Sequence, residues 1–185
     1  MNIIATAIPD VVVLEPKIFE DDRGFFYESF NQQLFSDATG HAAHFVQDNH
    51  SKSCCGVLRG MHYQVRQPQG KLVRVTKGHV FNVAADIRRS SPTFQQWVGI
   101  ELSETNLRQV WIPVGFAHGF LVLSDVAECQ YKTTAYYAPE HERCIAWDDP
   151  SLNIQWPIEE LGALQITMSL KDTNGARLSE VELFA

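Results

Sequence analysis

A chain of 185 residues with 45% hydrophobic and 20% charged side chains can bury a core of its own, which excludes a disordered or collagen-like polymer. A formal net charge of −7 excludes a general basic footprint for nucleic acid or an anionic membrane, leaving only local arginines to hold a small anion. The opening MNIIATAIPDVVVLEP has no basic leader or small-residue cleavage site, and proline breaks its short apolar run. A cytoplasmic protein is expected.

Gly and Pro punctuate the chain, and the segments between them are rich in Val, Ile, Phe, Trp and Tyr, the pattern of short strands and turns. In chain order, strands are predicted at residues 11–15 and 24–29, then a helix over 31–38. Asn31 supplies its N-cap, Leu34, Phe35 and Ala38 share a face, and Gly40 ends it. Strands at 45–53, 56–64, 71–76 and 79–88 follow, with Lys77-Gly78 reading as a hairpin turn between the last two. Further strands fall at 95–102, 109–112, 119–124, 127–135 and 144–147, and residues 150–185 hold the remaining loop and terminal-helix potential. With no repeat, low-complexity stretch or linker, the pattern predicts one all-β domain over residues 1–185, a sandwich, jelly roll or small barrel.

Cys54, Cys55, Cys129 and Cys144 form no C-x-x-C pair, and adjacent Cys54 and Cys55 cannot bridge without strain, so reduced thiols are expected. His62, His79 and His118 lie in or beside strands, which raises the question of a metal. Barrels of the cupin type carry one motif G-x5-H-x-H-x3,4-E-x6-G and a second containing P-x-G-x-x-H. Pro113-Val114-Gly115-Phe116-Ala117-His118 fits the second. The first is broken: Gln64 stands two residues after His62, and no glutamate follows at ligand spacing. A first-row metal lacks its donors, and none is expected.

Histidine without metal still serves as a base near neutral pH. His62 and His118, with Arg59, Lys71 and Tyr131 on neighbouring predicted strands, tilt the balance from satisfied core histidines toward a functional site, since inward-facing polar groups of a barrel line a common lumen. Alternation puts Leu58, Gly60, His62 and Gln64 on one face and Val57, Arg59, Met61 and Tyr63 on the other. Arg59 and His62 then point apart unless a bulge intervenes, and Gly60 is placed for one. Tyr131 shares a face with Ala127, Cys129 and Thr133, which fits packing as well as an acid; Lys71 fits a solvated strand end as well as a cavity cation. Tyr136-Tyr137 fits an edge pair or a ring-stacking platform. Arg23, in Asp21-Asp22-Arg23-Gly24, is an isolated cation at a turn.

The ordered blocks DDRGFFYESFN (21–31), FVQDNHSKS (45–53), VLRGMHYQ (57–64), QGKLVRV (69–75), WIPVGFAHGF (111–120) and YKTTAYYAP (131–139) resemble the dTDP-4-dehydrorhamnose 3,5-epimerase family. So do Trp156-Pro157 and Ser169-Leu170-Lys171-Asp172. The resemblance implies a cupin-type jelly roll with a few short helices, a homodimer exchanging strand contacts, and no metal or organic cofactor. It implies as substrate dTDP-4-dehydro-6-deoxy-D-glucose, whose carbons C3 and C5 flank a ketone. Removing a proton beside a carbonyl requires the enolate to be stabilised as it forms, so the chemistry asks for a base, an acid on the opposite face, and a cation at the oxygen.

Carried over by position, His62 is the base, Tyr131 the acid, Asp172 the carboxylate paired with the histidine, and Lys71 the cation at the ketone. His118 neighbours the sugar. Arg23 and Arg59 hold the diphosphate, a task suited to guanidinium geometry. Glu28, Gln47, Asn49, Glu142 and Lys171 make the remaining substrate contacts, and Tyr137 stacks on thymine. The chain departs from the family at Cys54-Cys55 and in its short tail after Asp172. A single-site epimerase and a non-catalytic sugar-nucleotide-binding cupin are the alternatives.

Overall fold

In the computed structural model, which describes residues 1–185, the β-branched and aromatic segments pair almost entirely antiparallel. Strands β1 (Asn2–Ala5), β2 (Val12–Glu15), β3 (Phe19–Asp21) and β4 (Gly24–Phe26) precede helix α1 (Gln32–Thr39). Then come β5 (Gln47–Cys54), β6 (Leu58–Gln64), β7 (Lys71–Lys77) and β8 (His79–Asp86). β9 (Trp97–Ser103), β10 (Gln109–Ile112), β11 (Phe116–Val122) and β12 (Val126–Thr133) follow, and β13 (Glu142–Cys144) and the single-turn helix α2 (Leu170–Thr173) complete the set. No helix is long and apolar enough to cross a membrane.

A six-stranded sheet in the order β1-β2-β10-β7-β12-β5 faces a five-stranded sheet ordered β13-β6-β11-β8-β9, and β3 and β4 form a separate hairpin. From β5 to β8 every connection crosses between the large sheets, which is the wiring of a jelly roll and gives the cupin-type fold expected. Val13, Val73, Val75 and Val110 from one sheet and Val80, Ala84, Phe120 and Val122 from the other fill the space between. Each such side chain contributes roughly 1.5–3 kcal/mol by leaving water.

The outer face of the five-stranded sheet, through Leu58, Met61, Tyr63 and Leu121, is covered by the C-terminal part of the chain, through Ile145, Leu152, Trp156, Leu161 and Leu178. α1 seals the other sheet by setting Phe35 against Leu14, Leu72 and Trp111. Its start and stop match the sequence: the Asn31 side chain accepts from the Leu34 N–H, and Gly40 ends it in the left-handed region at φ 70°.

Lys77-Gly78 is not a hairpin turn. β7 and β8 lie in different sheets, and Gly78, at φ +76°, carries the chain round the corner, where a Cβ would lie 2.0 Å from the Val126 carbonyl oxygen. β1 and β3 were not expected, because pairing with β2 and β4, rather than periodicity, makes them strands. The strand predicted over 24–29 stops at Phe26, where the chain turns away toward α1, and that predicted over 144–147 moves to Glu142–Cys144, where β6 offers its edge.

Gly60 bends β6. His118 of β11 pairs with His62, but Phe120 pairs with Arg59, so β6 carries one extra residue between them. Gly60 sits at φ +116°, and a Cβ there would lie 2.6 Å from both the Gly119 Cα and the His118 carbonyl oxygen. The bulge cancels the alternation that set Arg59 and His62 apart, and both line one cavity.

Candidate active site

The cavity has a volume of about 580 Å³ and is walled by β5, β6, β7, β11, β12, β13 and the segment leading into α2. Asp172 forms its anchor. The carboxylate Oδ1 lies 2.7 Å from His62 Nε2 and accepts the Gly60 N–H at 2.9 Å. Ser169 donates its hydroxyl to Oδ2 at 2.5 Å and caps α2. Burial pushes the Asp172 carboxyl up, but the bonds from His62, Ser169 and Gly60 outweigh it and hold the group well below the usual carboxylate range. An ionised Asp172 fixes the imidazole proton on Nε2, leaving the Nδ1 lone pair as the basic site.

Nδ1 has no hydrogen-bond partner; Glu142 Oε1 is 3.3 Å from it. Burial raises the Glu142 carboxyl, but hydrogen bonds from Lys171 and Tyr137 outweigh that and lower it overall. Tyr137 donates its hydroxyl to Glu142 Oε2 at 2.8 Å, and Lys171 Nζ bonds the same oxygen.

Lys71 opens β7 and lines the cavity instead of ending in solvent. Burial lowers its ammonium to about 8, opposed by attraction to Glu142. His118, 7% exposed, has Nε2 2.8 Å from Asn82 Oδ1. Burial, reinforced by Lys71 and His62, drives its pKa well below the ordinary value and keeps the ring neutral. Tyr131 reaches in from β12; burial raises its phenol, so it retains a proton to give. Arg59 is steadied through Nε by Ser53 Oγ at 3.1 Å, and β5 adds Gln47 and Asn49, bonded to each other at 2.8 Å.

Arg23 and Glu28 are not brought to this cavity. Arg23 sits on the β3–β4 turn, its side chain 89% exposed and paired with Asp21, and Glu28 accepts from Asn31 at the head of α1. His79 faces Glu101 instead of the cavity. Sequence reasoning gave no role to Ser169, Asn82, Ser53 or the Gln64 side chain. Of these, only Ser169 left a local sign, the Ser-x-x-Asp capping pattern that ends in Asp172.

His62, Cys144 and Asp172 bring ligand atoms within 4.8 Å of one another. They are a poor donor set for a metal. Burial, with the nearby carboxylates of Asp172 and Glu142, pushes the Cys144 thiol up to about 12, and Asp172 is committed to His62, Ser169 and Gly60. The arrangement suits proton transfer: a free imidazole nitrogen, a lysine and a protonated phenol around one space.

Residues 5–180 match the family model described as dTDP-4-dehydrorhamnose 3,5-epimerase. The chain is 59% identical over 184 residues to the dTDP-4-dehydrorhamnose 3,5-epimerase of Pseudomonas aeruginosa, covering 100% of this chain and 99% of that protein. It superposes with a TM-score of 0.94 on the dTDP-6-deoxy-D-glucose-3,5-epimerase of Legionella pneumophila Philadelphia 1 in complex with dTDP-4-keto-L-rhamnose, at 54% identity over 98% of this chain and 94% of that one. A 3'-monoepimerase from Streptomyces bikiniensis in complex with dTDP-quinovose shares the fold at a TM-score of 0.86 and 31% identity, over 95% of this chain and 87% of that one. The chain belongs to the dTDP-4-dehydrorhamnose 3,5-epimerase family.

Proposed function

We propose that this chain inverts C3 and C5 of dTDP-4-dehydro-6-deoxy-D-glucose to give dTDP-4-dehydro-L-rhamnose, as a cytoplasmic homodimer in dTDP-L-rhamnose biosynthesis. The observation that carries the reading is the His62–Asp172 pair facing Lys71 and Tyr131 across one cavity. His62 Nδ1 takes the proton from the carbon beside the ketone, and the C–H electrons move to the C4 oxygen. Lys71 stabilises the resulting enolate, and Asp172 the imidazolium. Tyr131 returns a proton to that carbon from the opposite face as the enolate electrons re-form the C–H bond. The His62 imidazolium then gives its proton to solvent and the Tyr131 phenolate regains one from it, and the cycle repeats at the second carbon. Greater likeness to double epimerases than to the monoepimerase supports inversion at both carbons.

Arg59 holds the diphosphate and Tyr137 stacks on thymine, while Gln47, Asn49, His118, Glu142 and Lys171 bind the remainder. Arg23 and Glu28 serve the cavity of a second copy. The hairpin that carries Arg23 leaves Phe19, Phe25 and Phe26 at 52%, 59% and 67% exposure, an apolar edge suited to cover by a partner. Incubating the protein with the ketosugar and reading product stereochemistry by NMR tests the reading. The wild type should convert it, and His62→Ala should lose about 10²–10⁴-fold in rate while still binding dTDP. A wild type that binds dTDP without turnover would favour a binding protein.

A further inference from the structure

Between Thr134, whose N–H still bonds the Gly70 carbonyl at 3.0 Å, and the 3-10 turn Pro139–His141 the chain leaves the sheet, and apart from the Thr133 hydroxyl on the Ala135 carbonyl its backbone loses its neighbours in the sheet. Glutamine side chains replace them. Gln69 Nε2 donates to the Ala135 carbonyl at 2.9 Å, and Gln64 Nε2 to the Tyr136 carbonyl at 3.2 Å. Gln47 Oε1 accepts the Tyr137 N–H at 3.0 Å, and Gln64 Oε1 the Ala138 N–H at 2.9 Å.

Gln64 is the centre of this clamp. It is 3% exposed, grips the segment on both sides of Tyr137, and spends its other amide hydrogen on the Gln67 carbonyl at 2.8 Å. Tyr137 itself is 51% exposed; its hydroxyl is tied to Glu142, and the backbone that the clamp fixes sets the other end of the ring. The position where a metal-binding cupin needs its second histidine here holds a loop.

We propose that Gln64 is a positioning residue for nucleotide recognition: by fixing residues 136–138 it presents the Tyr137 ring to the base of the substrate. The inference rests on the reading of Tyr137 as the base-stacking ring. Removing the amide leaves three backbone groups without partners, the segment reorders, and binding must then meet the entropy of restoring it. The cost falls on nucleotide affinity and spares proton transfer at the sugar.

The test measures dTDP affinity by calorimetry, and kcat and KM with the ketosugar, for Gln64→Met, Tyr137→Ala and the double variant. Each single change should raise Kd and KM about tenfold, Gln64→Met should leave kcat within about twofold, and the double should bind dTDP no worse than Tyr137→Ala, because both act through one ring. Additive losses, or a fall in kcat with unchanged Kd, would overturn the inference, as would normal binding by Gln64→Met when Tyr137→Ala is impaired. If Tyr137→Ala binds dTDP normally, the stacking reading itself fails and takes the inference with it. Should Gln64→Met not fold, Gln64→Glu keeps the acceptor for Ala138, removes both donors, and is held to the same outcomes.

Discussion

Asp172 Oδ1 lies 2.7 Å from His62 Nε2, joining residues 110 positions apart into one acid–base unit. If that bond sets the tautomer and stabilises the imidazolium, Asp172→Asn should lower kcat/KM by about 10²–10⁴-fold with little change in dTDP affinity. Ser169→Ala, which only loosens the anchor, should cost about tenfold. The same group shapes acid stability. Its carboxyl is depressed in the folded state, so its contribution is full above the unfolded value of about 3.9 and is lost as pH falls through the lower folded value. The difference in melting temperature between wild type and Asp172→Asn, measured from pH 7 downward, should persist to about pH 4 and shrink below it.

Lys71 sets the alkaline limit. Its ammonium titrates near 8, and only the charged form stabilises an enolate, so kcat/KM should fall as pH rises through about 8. Lys71→Arg should move that limb upward, and Lys71→Met should abolish it along with about 10²–10³-fold of rate. A pH profile of the three proteins checks this, and an unchanged limb in Lys71→Arg would assign it to another group.

Gly60→Ala tests the bulge. The new methyl meets the Gly119 Cα and the His118 carbonyl at 2.6 Å in a backbone conformation that disfavours a side chain. We expect a loss of about 1–3 kcal/mol in denaturant unfolding, and a fall in turnover beyond that of an equally destabilised core variant, because Arg59 and His62 lose their shared direction.

Tyr131→Phe should separate proton removal from inversion. With His62 intact, the variant should still exchange the sugar's α-protons with solvent, while inversion drops by about 10²–10⁴-fold. Loss of both together would mean that Tyr131 acts before or during proton removal.

What could be read in the sequence was what local chemistry decides. Asn31 and Gly40 bracket a helix in any context, and Gly60 between Arg59 and His62 marked the bulge. Lys77-Gly78 signalled a turn, but whether a turn closes a hairpin or a corner between sheets depends on where the next strand pairs. β13 likewise exists because β6 offers an edge, which brings Glu142 opposite Gln64 and Cys144 opposite His62. The His62–Asp172 contact has no local trace, since only the closed barrel and the folded C-terminal segment bring α2 to β6. Arg23 and Glu28 entered through family likeness alone, and this chain leaves them outside its own cavity.

The most direct measurement runs the reaction in deuterated water and counts the label in the product by mass spectrometry, with NMR to locate it. Reversible proton abstraction at both carbons by His62, with return through Tyr131, should give deuterium at C3 and C5 and the L-rhamno configuration. Label at one carbon alone, or product with no label, would contradict it.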